Sequence, residues 1–271
     1  MKRTACRFMV LAVVLPAAAY AGGESELQAA FKTFSFDYRE DFPPPGKSEE
    51  SGWLPGAALR YTFRGSSIPL YASLLCEATI ARTTYDGAIE YSDGTIAPYS
   101  DKTSNTFLRV EGQVGFSLST PGRISLTLFS GYGYRSWTRR LPGSGGYEEE
   151  YSWGYVPLGA LLEFPAGARW TLAAETVARF MVNGSIAILL PQFNNPDLTL
   201  GDRFGWRIAL PVGYTWNSAW SFNATPWLDY SAIGESNNSA TVILGGISEY
   251  VREPSSHTRQ AGLDIGITLH F

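Results

Sequence analysis

Apolar and polar residues alternate with a period of two along most of the chain. In the stretch 203–216, aromatic and aliphatic side chains occupy every even position from Phe204 to Trp216, whereas the odd positions include Arg203, Arg207 and Thr215. Residues that alternate in this way point to opposite sides of an extended strand, so one face is apolar and the other is polar or small. Ten segments show this period and are predicted to be β-strands: 31–40, 52–64, 69–84, 105–118, 124–137, 149–164, 169–181, 203–216, 219–232 and 258–271.

The connections between these segments alternate between long and short. The short ones, 65–68, 119–123, 165–168 and 217–218, are rich in Gly, Pro, Asn and Ser, which favour chain reversal. The long ones cover about 41–51, 85–104, 138–148, 182–202 and 233–257. Outer-membrane barrels have short periplasmic turns and long extracellular loops. The pattern therefore predicts an all-β, closed antiparallel transmembrane barrel of about ten strands with both termini in the periplasm.

Two apolar pieces inside the long connections leave an alternative strand number open. Residues 186–190 and 242–244 are each too short to cross a membrane, but they could extend hairpins above it or fold into the mouth of the barrel. A barrel of twelve strands that uses both pieces is the alternative. It would spoil the alternation of loop lengths, so ten strands is the favoured prediction.

The two ends of the chain carry export and assembly features. Lys2, Arg3 and Arg7 form a basic region before the apolar stretch 8–20, and 19–21 reads Ala-Tyr-Ala. This order predicts a secretory signal peptide, residues 1–21, followed by a barrel domain at 22–271. Cys76 is then the one remaining cysteine, predicted to be inert on the lipid-facing side. The last strand presents an apolar face that ends in phenylalanine, which predicts a signal for the barrel-assembly machinery: Leu263, Ile265, Ile267, Leu269 and Phe271.

Charged residues on the polar faces are predicted to line the lumen. The predicted network comprises Arg60, Glu77, Arg109, Glu111, Arg135, Glu163, Glu175, Arg179, Arg203, Arg207, Asp229 and Asp264, and Asp37 and Arg39 are placed on the same inner face. Charges in a narrow lumen must pair or be hydrated, because an isolated buried charge is very costly. Together with Tyr151, Trp153 and Tyr155 they predict a mostly filled lumen. A selectivity ring in a narrow channel is the functional alternative to a structural salt-bridge network.

Aromatic residues cluster near the predicted strand ends. This placement is typical of the aromatic girdles at the two membrane interfaces. Trp170, Trp216 and Trp220 are predicted to lie at the periplasmic interface, and Trp53, Trp137 and Tyr230 at the outer one.

Little in the sequence points to catalysis. The chain has two histidines: His270 is predicted to face the lumen near the periplasmic end, and His257 follows Ser255 and Ser256 in the last long loop. A Ser/His hydrolase uses these residue types, but neighbours in a loop are weak evidence. No phosphate-binding loop, dinucleotide fingerprint, metal-ligand cluster or nucleic-acid patch is present. We therefore expect no enzymatic activity, no cofactor, no metal and no nucleic-acid partner.

Ten strands with five long outer loops resemble the omptin outer-membrane proteases in size and plan. That family uses an Asp pair facing an Asp–His pair at the outer rim. Asp86 and Asp93 lie in the second long loop, but the chain has no Asp-x-His motif, so the resemblance covers the architecture alone. The aromatic segments 131–135 and 151–155, joined by a charged hairpin, also resemble the small outer-membrane β-barrel domain families of Gram-negative bacteria.

These observations predict a non-enzymatic protein of the bacterial outer membrane, with a structural role or with loops that bind a partner. Its expected partners are the outer-membrane lipids, the barrel-assembly machinery and an unidentified extracellular ligand of the acidic long loops. A narrow porin-like channel for small solutes or ions is the first alternative. An omptin-like or lipid-modifying hydrolase at the rim is the second.

Overall fold

A computed structural model describes residues 22–41, 47–90, 95–119, 124–142, 146–190, 195–244 and 247–271. No helix within these ranges is long and apolar enough to cross a membrane. The predicted signal peptide at 1–21 lies outside the described residues. The strands are β1 (Gly23–Glu40), β2 (Ser48–Gly65), β3 (Leu70–Glu90), β4 (Ile96–Ser119), β5 (Ser125–Arg140), β6 (Glu148–Pro165), β7 (Trp170–Leu189), β8 (Asp197–Gly201), β9 (Phe204–Ala209), β10 (Val212–Thr215), β11 (Trp220–Ser236), β12 (Ala240–Leu244), β13 (Ile247–Val251) and β14 (Ser256–His270).

The strands close into an antiparallel barrel with a wall of ten. Strand β1 pairs with β14 from Glu26–His270 to Glu40–Ser256, which joins the two ends of the chain. The short segments β8, β9 and β10 follow one another along a single position of the wall, between β7 and β11. Within the described residues, closure gives every wall position a strand partner on both sides, as a lipid environment requires.

The predicted ten-stranded barrel is confirmed, but the strands are longer than predicted. Strands β1, β3, β4 and β7 run six to nine residues past their predicted ends, so most of the predicted long loop 85–104 and the last four residues of 41–51 belong to β-strands instead. The apolar piece 186–190 mostly lengthens β7. The second piece, 242–244, belongs to β12, which pairs only with β13 in a hairpin outside the wall. The twelve-stranded alternative is therefore wrong.

An apolar belt surrounds the half of the barrel nearest the short turns, which we call the turn end. On β4 its outward side chains run from Leu108 to Leu118 and include Val114 and Phe116, which are 62% and 65% exposed. About 9 to 11 residues suffice for a strand to cross a bilayer. Beyond Leu108 the outward positions of β4, at Ser104 and Lys102, are polar. The belt thus covers one bilayer thickness, and the strands continue past it.

Past the belt, toward what we call the loop end, the polarity of the two faces is reversed. Along β1, Leu27 and Phe31 point outward in the belt, whereas Phe34, Phe36 and Tyr38 point inward and are buried. Many of these inward residues form one hydrophobic core, together with neighbours nearer the belt: Phe34, Phe36, Tyr38, Leu54, Trp137, Tyr151, Trp153, Tyr155, Met181, Ile186, Ile188, Leu198, Leu200, Ala209, Trp227 and Ile233. Water surrounds this half, so apolar side chains are most stable inside.

A bulge in β7 turns two apolar residues into the loop-end core. The register between β6 and β7 moves from Gly154–Val182 to Ser152–Ser185, so β7 contains one extra residue. Asn183 in this bulge has a φ of 54°, the left-handed conformation that Asn tolerates better than most residues. The extra residue shifts the alternation, and Ile186 and Ile188 are consequently buried inside the barrel.

Sequence-based placements near the reversal of polarity are wrong. Asp37 and Arg39, predicted to face the lumen, lie on the outer face, where Arg39 Nε is 3.1 Å from Asp37 Oδ1. Trp137, predicted at the outer interface, is buried inside the barrel. Arg203, predicted in the lumen network, is exposed between β8 and β9 and donates to the carbonyl of Asp202. Asp37, Arg39 and Arg203 were placed inside on the assumption that polar positions face inward along the whole strand, and Trp137 was placed outside as an aromatic residue near a strand end.

Candidate functional site

The predicted lumen charges, apart from Arg203, lie inside the barrel, and a layer of them crosses it at belt level. Glu77 is the centre of this layer: Lys32 Nζ donates to its Oε1, and Arg109 Nε lies 2.8 Å from its Oε2. Asp264, the cross-strand partner of Lys32, continues the layer, and Arg207 Nη2 is 3.6 Å from Asp264 Oδ2. We call Lys32, Glu77, Arg109, Arg207 and Asp264 the partition. Lys32 was not predicted, although it follows the outward Phe31 and therefore points inward.

The indole of Trp227 contacts three members of the partition. Trp227 Nε1 donates to Asp264 Oδ1 at 2.7 Å. Its ring lies 4.2 Å from the guanidinium carbon of Arg207 and 5.0 Å from Lys32 Nζ. Cation–π contacts of this kind gain strength where water is excluded. The partition therefore combines ion pairs with aromatic packing.

Further predicted residues form ion pairs above and below the partition. Asp229 Oδ2 accepts from Arg179 at 2.5 Å and lies 3.5 Å from Arg135 Nη2. Nearer the turn end, Arg60 Nη1 is 3.6 Å from Glu175 Oε2. Buried ions persist only when such partners replace the lost hydration.

The Glu111 carboxylate is held by hydrogen bonds from neutral side chains rather than by ion pairs. Glu163 is the last of the predicted lumen residues. The hydroxyl of Tyr155 and Nε2 of Gln113 each donate to the Glu111 carboxylate at 2.5 Å. Glu163 Oε1 is 3.1 Å from Arg64 Nη2, close to the turn end. The predicted residues are thus placed in one lumen, but in several layers rather than in a single ring.

The partition separates two cavities in the lumen. The upper cavity, of about 70 Å³, lies between the partition and the loop-end core and is lined by Trp137, Trp153 and Arg135. The lower cavity, of about 240 Å³, lies at the turn end and is lined mainly by polar side chains. We call it the vestibule. Glu77 and Arg207 are the two residues that line both, so the wall between the cavities is one side chain thick.

A second buried charge cluster, which the sequence did not predict, closes the loop end. Arg139 Nε is 2.5 Å from Glu50 Oε1, and its Nη1 donates to Glu149 Oε2 at 2.9 Å and to Glu40 Oε1 at 3.1 Å. Glu253, from the end of the last connection, accepts from the Tyr151 hydroxyl at 2.7 Å. We call Arg139 and these four glutamates the mouth cluster. Several of these residues had been assigned to solvated loops.

The mouth cluster contains more carboxylates than it has cations to pair with them. Burial raises the pKa of Glu253 well above its ordinary value, and the neighbouring Glu149 and Glu40 raise it further. Burial also raises the pKa of Glu40, against the opposing effect of Arg139. A carboxyl that loses hydration without gaining a full counter-charge favours its neutral form. One feature of the sequence could have indicated a buried interior at this end. Along β1 the inner face changes from charged residues to Phe34, Phe36 and Tyr38.

The two histidines occupy opposite ends of the barrel. At the loop end, His257 Nδ1 is 3.9 Å from Asp41 Oδ1, and the Ser255 hydroxyl donates to the same carboxylate rather than to the imidazole. At the turn end, His270 Nε2 lies 2.6 Å from Ser221 Oγ, and its Nδ1 lies 3.4 Å from Glu26 Oε1. The loop-end serine and histidine are therefore not paired, whereas the turn-end pair is.

The omptin catalytic pattern does not assemble from the residues that the structure describes. Asp86 is exposed and forms an ion pair with Lys47 at 2.6 Å, and Asp93 lies outside the described residues. No group of three or more His, Cys, Asp or Glu side chains in the described ranges is placed to hold a metal ion.

Comparison with solved structures identifies the architecture. The outer membrane protease OmpT from Escherichia coli superposes with a TM-score of 0.64 and 10% sequence identity, covering 93% of this chain and 98% of that one. The fold is that of an outer-membrane β-barrel. OprG from Pseudomonas aeruginosa matches with a TM-score of 0.41 and 11% identity, over 93% of this chain and 97% of that one. No protein-family model matches the chain, and no curated protein sequence matches it significantly.

Proposed function

We propose that this chain is an integral protein of the bacterial outer membrane whose closed lumen supports a binding surface at the loop end. The apolar belt would lie in the hydrocarbon core, in contact with outer-membrane lipids, with the turn end in the periplasm. The barrel-assembly machinery would recognise the outward apolar face of β14, which is followed by Phe271. Phe271 is 65% exposed and its backbone pairs with Ser25.

The observation that carries this proposal is the partition. A conducting barrel needs a continuous aqueous path, but here paired charges separate the two cavities, and the aromatic core and the mouth cluster fill the barrel above them. Ten strands enclose little more space than the eight whose interior side chains fill. Steric filling and ion pairing therefore both oppose the passage of solutes.

The loop end is the surface on which a partner would bind. The strands rise well above the belt and carry polar outer faces, and loops on such a rigid scaffold are where recognition residues collect. The core beneath keeps this scaffold ordered. The role proposed for the loop end is display and binding, because its serine and histidine are not paired for catalysis.

Planar-bilayer recording of the refolded, heat-modifiable barrel tests the closed lumen. Folded wild-type protein is expected to give flat traces. Replacing both Lys32 and Glu77 by Ala would open the wall between the cavities and is expected to produce conductance steps. The matched control is the exposed ion pair Lys47–Asp86, whose double replacement by Ala is expected to stay silent.

A narrow channel is the competing function, favoured by the fact that the partition is one side chain thick. Steady, reproducible steps from folded wild-type protein would contradict the closed lumen and establish this channel. In that case Lys32, Glu77 and Arg207 would become the residues that set its ion selectivity.

A further inference from the structure

The turn end holds a serine, a histidine and a glutamate in line across three neighbouring strands. Ser221 on β11, His270 on β14 and Glu26 on β1 all point into the vestibule. His270 is the direct cross-strand partner of Glu26, and Ser221 lies opposite Thr268, two residues away from His270. The separations are 2.6 Å from Ser221 Oγ to His270 Nε2 and 3.4 Å from His270 Nδ1 to Glu26 Oε1.

This order of groups is the one that activates a serine hydroxyl. A hydroxyl is a weak nucleophile unless a base within hydrogen-bond reach removes its proton, and the base works best when a third group fixes its orientation. In the tautomer that carries its proton on Nδ1, 3.4 Å from Glu26 Oε1, the lone pair of His270 Nε2 faces Ser221 Oγ. The main chain at His270 is fixed, because its amide donates to the carbonyl of Ala219 at 2.8 Å.

The vestibule provides room and polar contacts beside these three residues. Its volume is about 240 Å³, and small residues such as Ala58, Ala173 and Gly213 leave this space open. Arg64 Nη1 is 3.1 Å from Glu26 Oε2, while the buried Arg64 Nε has no hydrogen-bond partner. The Arg64 guanidinium also lines the vestibule, and a cation there favours the negative oxygen that develops when an ester is attacked.

We propose that Ser221 and His270 form the catalytic centre of an esterase that opens to the turn end, with Glu26 as the positioning residue. This activity goes beyond the binding role proposed above, and it replaces the expectation that the chain lacks an enzymatic site. A reaction inside the lumen also explains why a vestibule of about 240 Å³ is retained below the packed loop-end core.

The reaction proceeds in two balanced steps. Ser221 Oγ attacks the ester carbonyl carbon and passes its proton to His270 Nε2, which returns that proton to the departing alcohol as the carbon–oxygen bond breaks. Water then attacks the acyl group on Ser221, with His270 again accepting the proton and returning it to Ser221 Oγ. The products are one alcohol and one carboxylic acid, and no oxidant or other reactant is required.

The lining of the vestibule indicates the class of ester. Six strands contribute hydroxyl and amide side chains to the vestibule: Gln28, Thr62, Thr171, Thr215, Asn223, Thr225 and Thr268. Such groups hydrogen-bond an alcohol with several hydroxyls. Apolar side chains, among them Leu75, Leu161 and Val212, line the same cavity and offer contacts to a short acyl chain. The substrate is therefore a short-chain acyl ester of a polyhydroxy alcohol.

Two measurements on the full-length refolded barrel test the proposal. A fluorophosphonate probe should label Ser221 in the folded protein, as located by peptide mass spectrometry, and p-nitrophenyl acetate should be hydrolysed. Ser221→Ala is expected to abolish labelling and to lower turnover at least about 100-fold. Glu26→Gln is expected to lower kcat with little change in KM, because it disorients the base without altering the vestibule wall.

The second Ser/His neighbourhood of the chain supplies the matched control. Ser255→Ala combined with His257→Gln, at the loop end, is expected to leave labelling and turnover unchanged. Folded wild-type protein that is not labelled at Ser221, or turnover that survives Ser221→Ala, would overturn the proposal. Labelling without hydrolysis of any acetyl ester would overturn the esterase assignment. None of these measurements depends on conductance. The proposal of a closed lumen is therefore tested independently of the esterase proposal.

Discussion

The belt half and the loop-end half of this barrel are built from the same strands with opposite polarity. In the belt, Val114 and Phe116 face outward and the inner face carries ion pairs such as Arg109–Glu77. At the loop end, Trp137 and Tyr151 are buried inside, and exposed pairs such as Arg39–Asp37 face outward. The strand period is the same throughout, so the surrounding solvent decides which face is apolar.

The two halves also differ in how their buried carboxylates are paired. In the belt the lumen is the only place where charges escape lipid, and its carboxylates meet several arginines. In the loop-end half the interior is hydrophobic, and three glutamates of the mouth cluster share Arg139, while the fourth, Glu253, accepts from the Tyr151 hydroxyl. The first arrangement is close to neutral, whereas the second retains excess negative charge that protons can relieve.

The largest effect is expected from truncating the loop-end core. Trp137 stacks on Tyr151 at 4.8 Å and donates its indole N–H to Asn105 at 2.6 Å. Trp137→Ala is expected to lower the free energy of unfolding by about 3 to 5 kcal/mol, because it leaves a cavity and an unpaired amide. Trp53→Ala, on the outer face, is the matched control and is expected to cost less than about 1 kcal/mol. Equal losses in denaturant titrations would show that the loop-end half has no core of its own.

A smaller effect is expected from placing a charge on the outside of one strand at two heights. Val114→Arg puts a cation in the belt and is expected to destabilise the barrel in lipid vesicles by about 2 to 4 kcal/mol. Ser104→Arg, ten positions nearer the loop end on the same face of β4, is expected to be nearly neutral. Urea unfolding of the two variants in the same vesicles makes the comparison. If Val114→Arg did not change the stability, the bilayer would not surround the belt as proposed.

The smallest effect is expected from pH at the mouth cluster. Because the pKa values of Glu253 and Glu40 are raised in the folded mouth, their contribution to stability is complete at acid pH, below the ordinary value of about 4.5. It is lost as the pH rises through the raised values, by about 1.4 kcal/mol per pH unit for each proton released. Hydrogen exchange of the Ser236 amide, which donates to the Glu253 carbonyl at 2.9 Å, reports this opening.

Replacing single glutamates separates proton release from other effects of pH. Glu253→Gln imitates the neutral form and is expected to flatten the pH dependence of Ser236 exchange, after correction for the intrinsic rate. Glu235→Gln, an exposed residue paired with Arg252 at 2.9 Å, is expected to keep the wild-type slope. If the wild-type protein shows no pH dependence, the mouth cluster does not hold excess charge.

The sequence predicted the wall and much of the lumen, since both follow from local alternation. A period of two assigns Glu77, Arg109 and Arg179 to one face wherever the outer face is visibly apolar. It did not predict the mouth cluster, because Glu50, Arg139 and Glu253 lie far apart in sequence and in segments that resemble loops. It also missed Lys32, which stands beside Phe31 at the edge of the belt.

The sequence by itself determined that this chain is an antiparallel barrel of ten strands with a charged lumen, because strand alternation and turn residues are local properties. Only the tertiary structure decided where the polarity of the faces reverses, since this depends on how far each strand rises past the belt. Closure alone brings Glu26 on β1 beside His270 on β14, whereas the pairing of β11 with β14 places Ser221 next to His270. Contacts made by closure have no local signal, so the candidate esterase site appears only in the folded barrel.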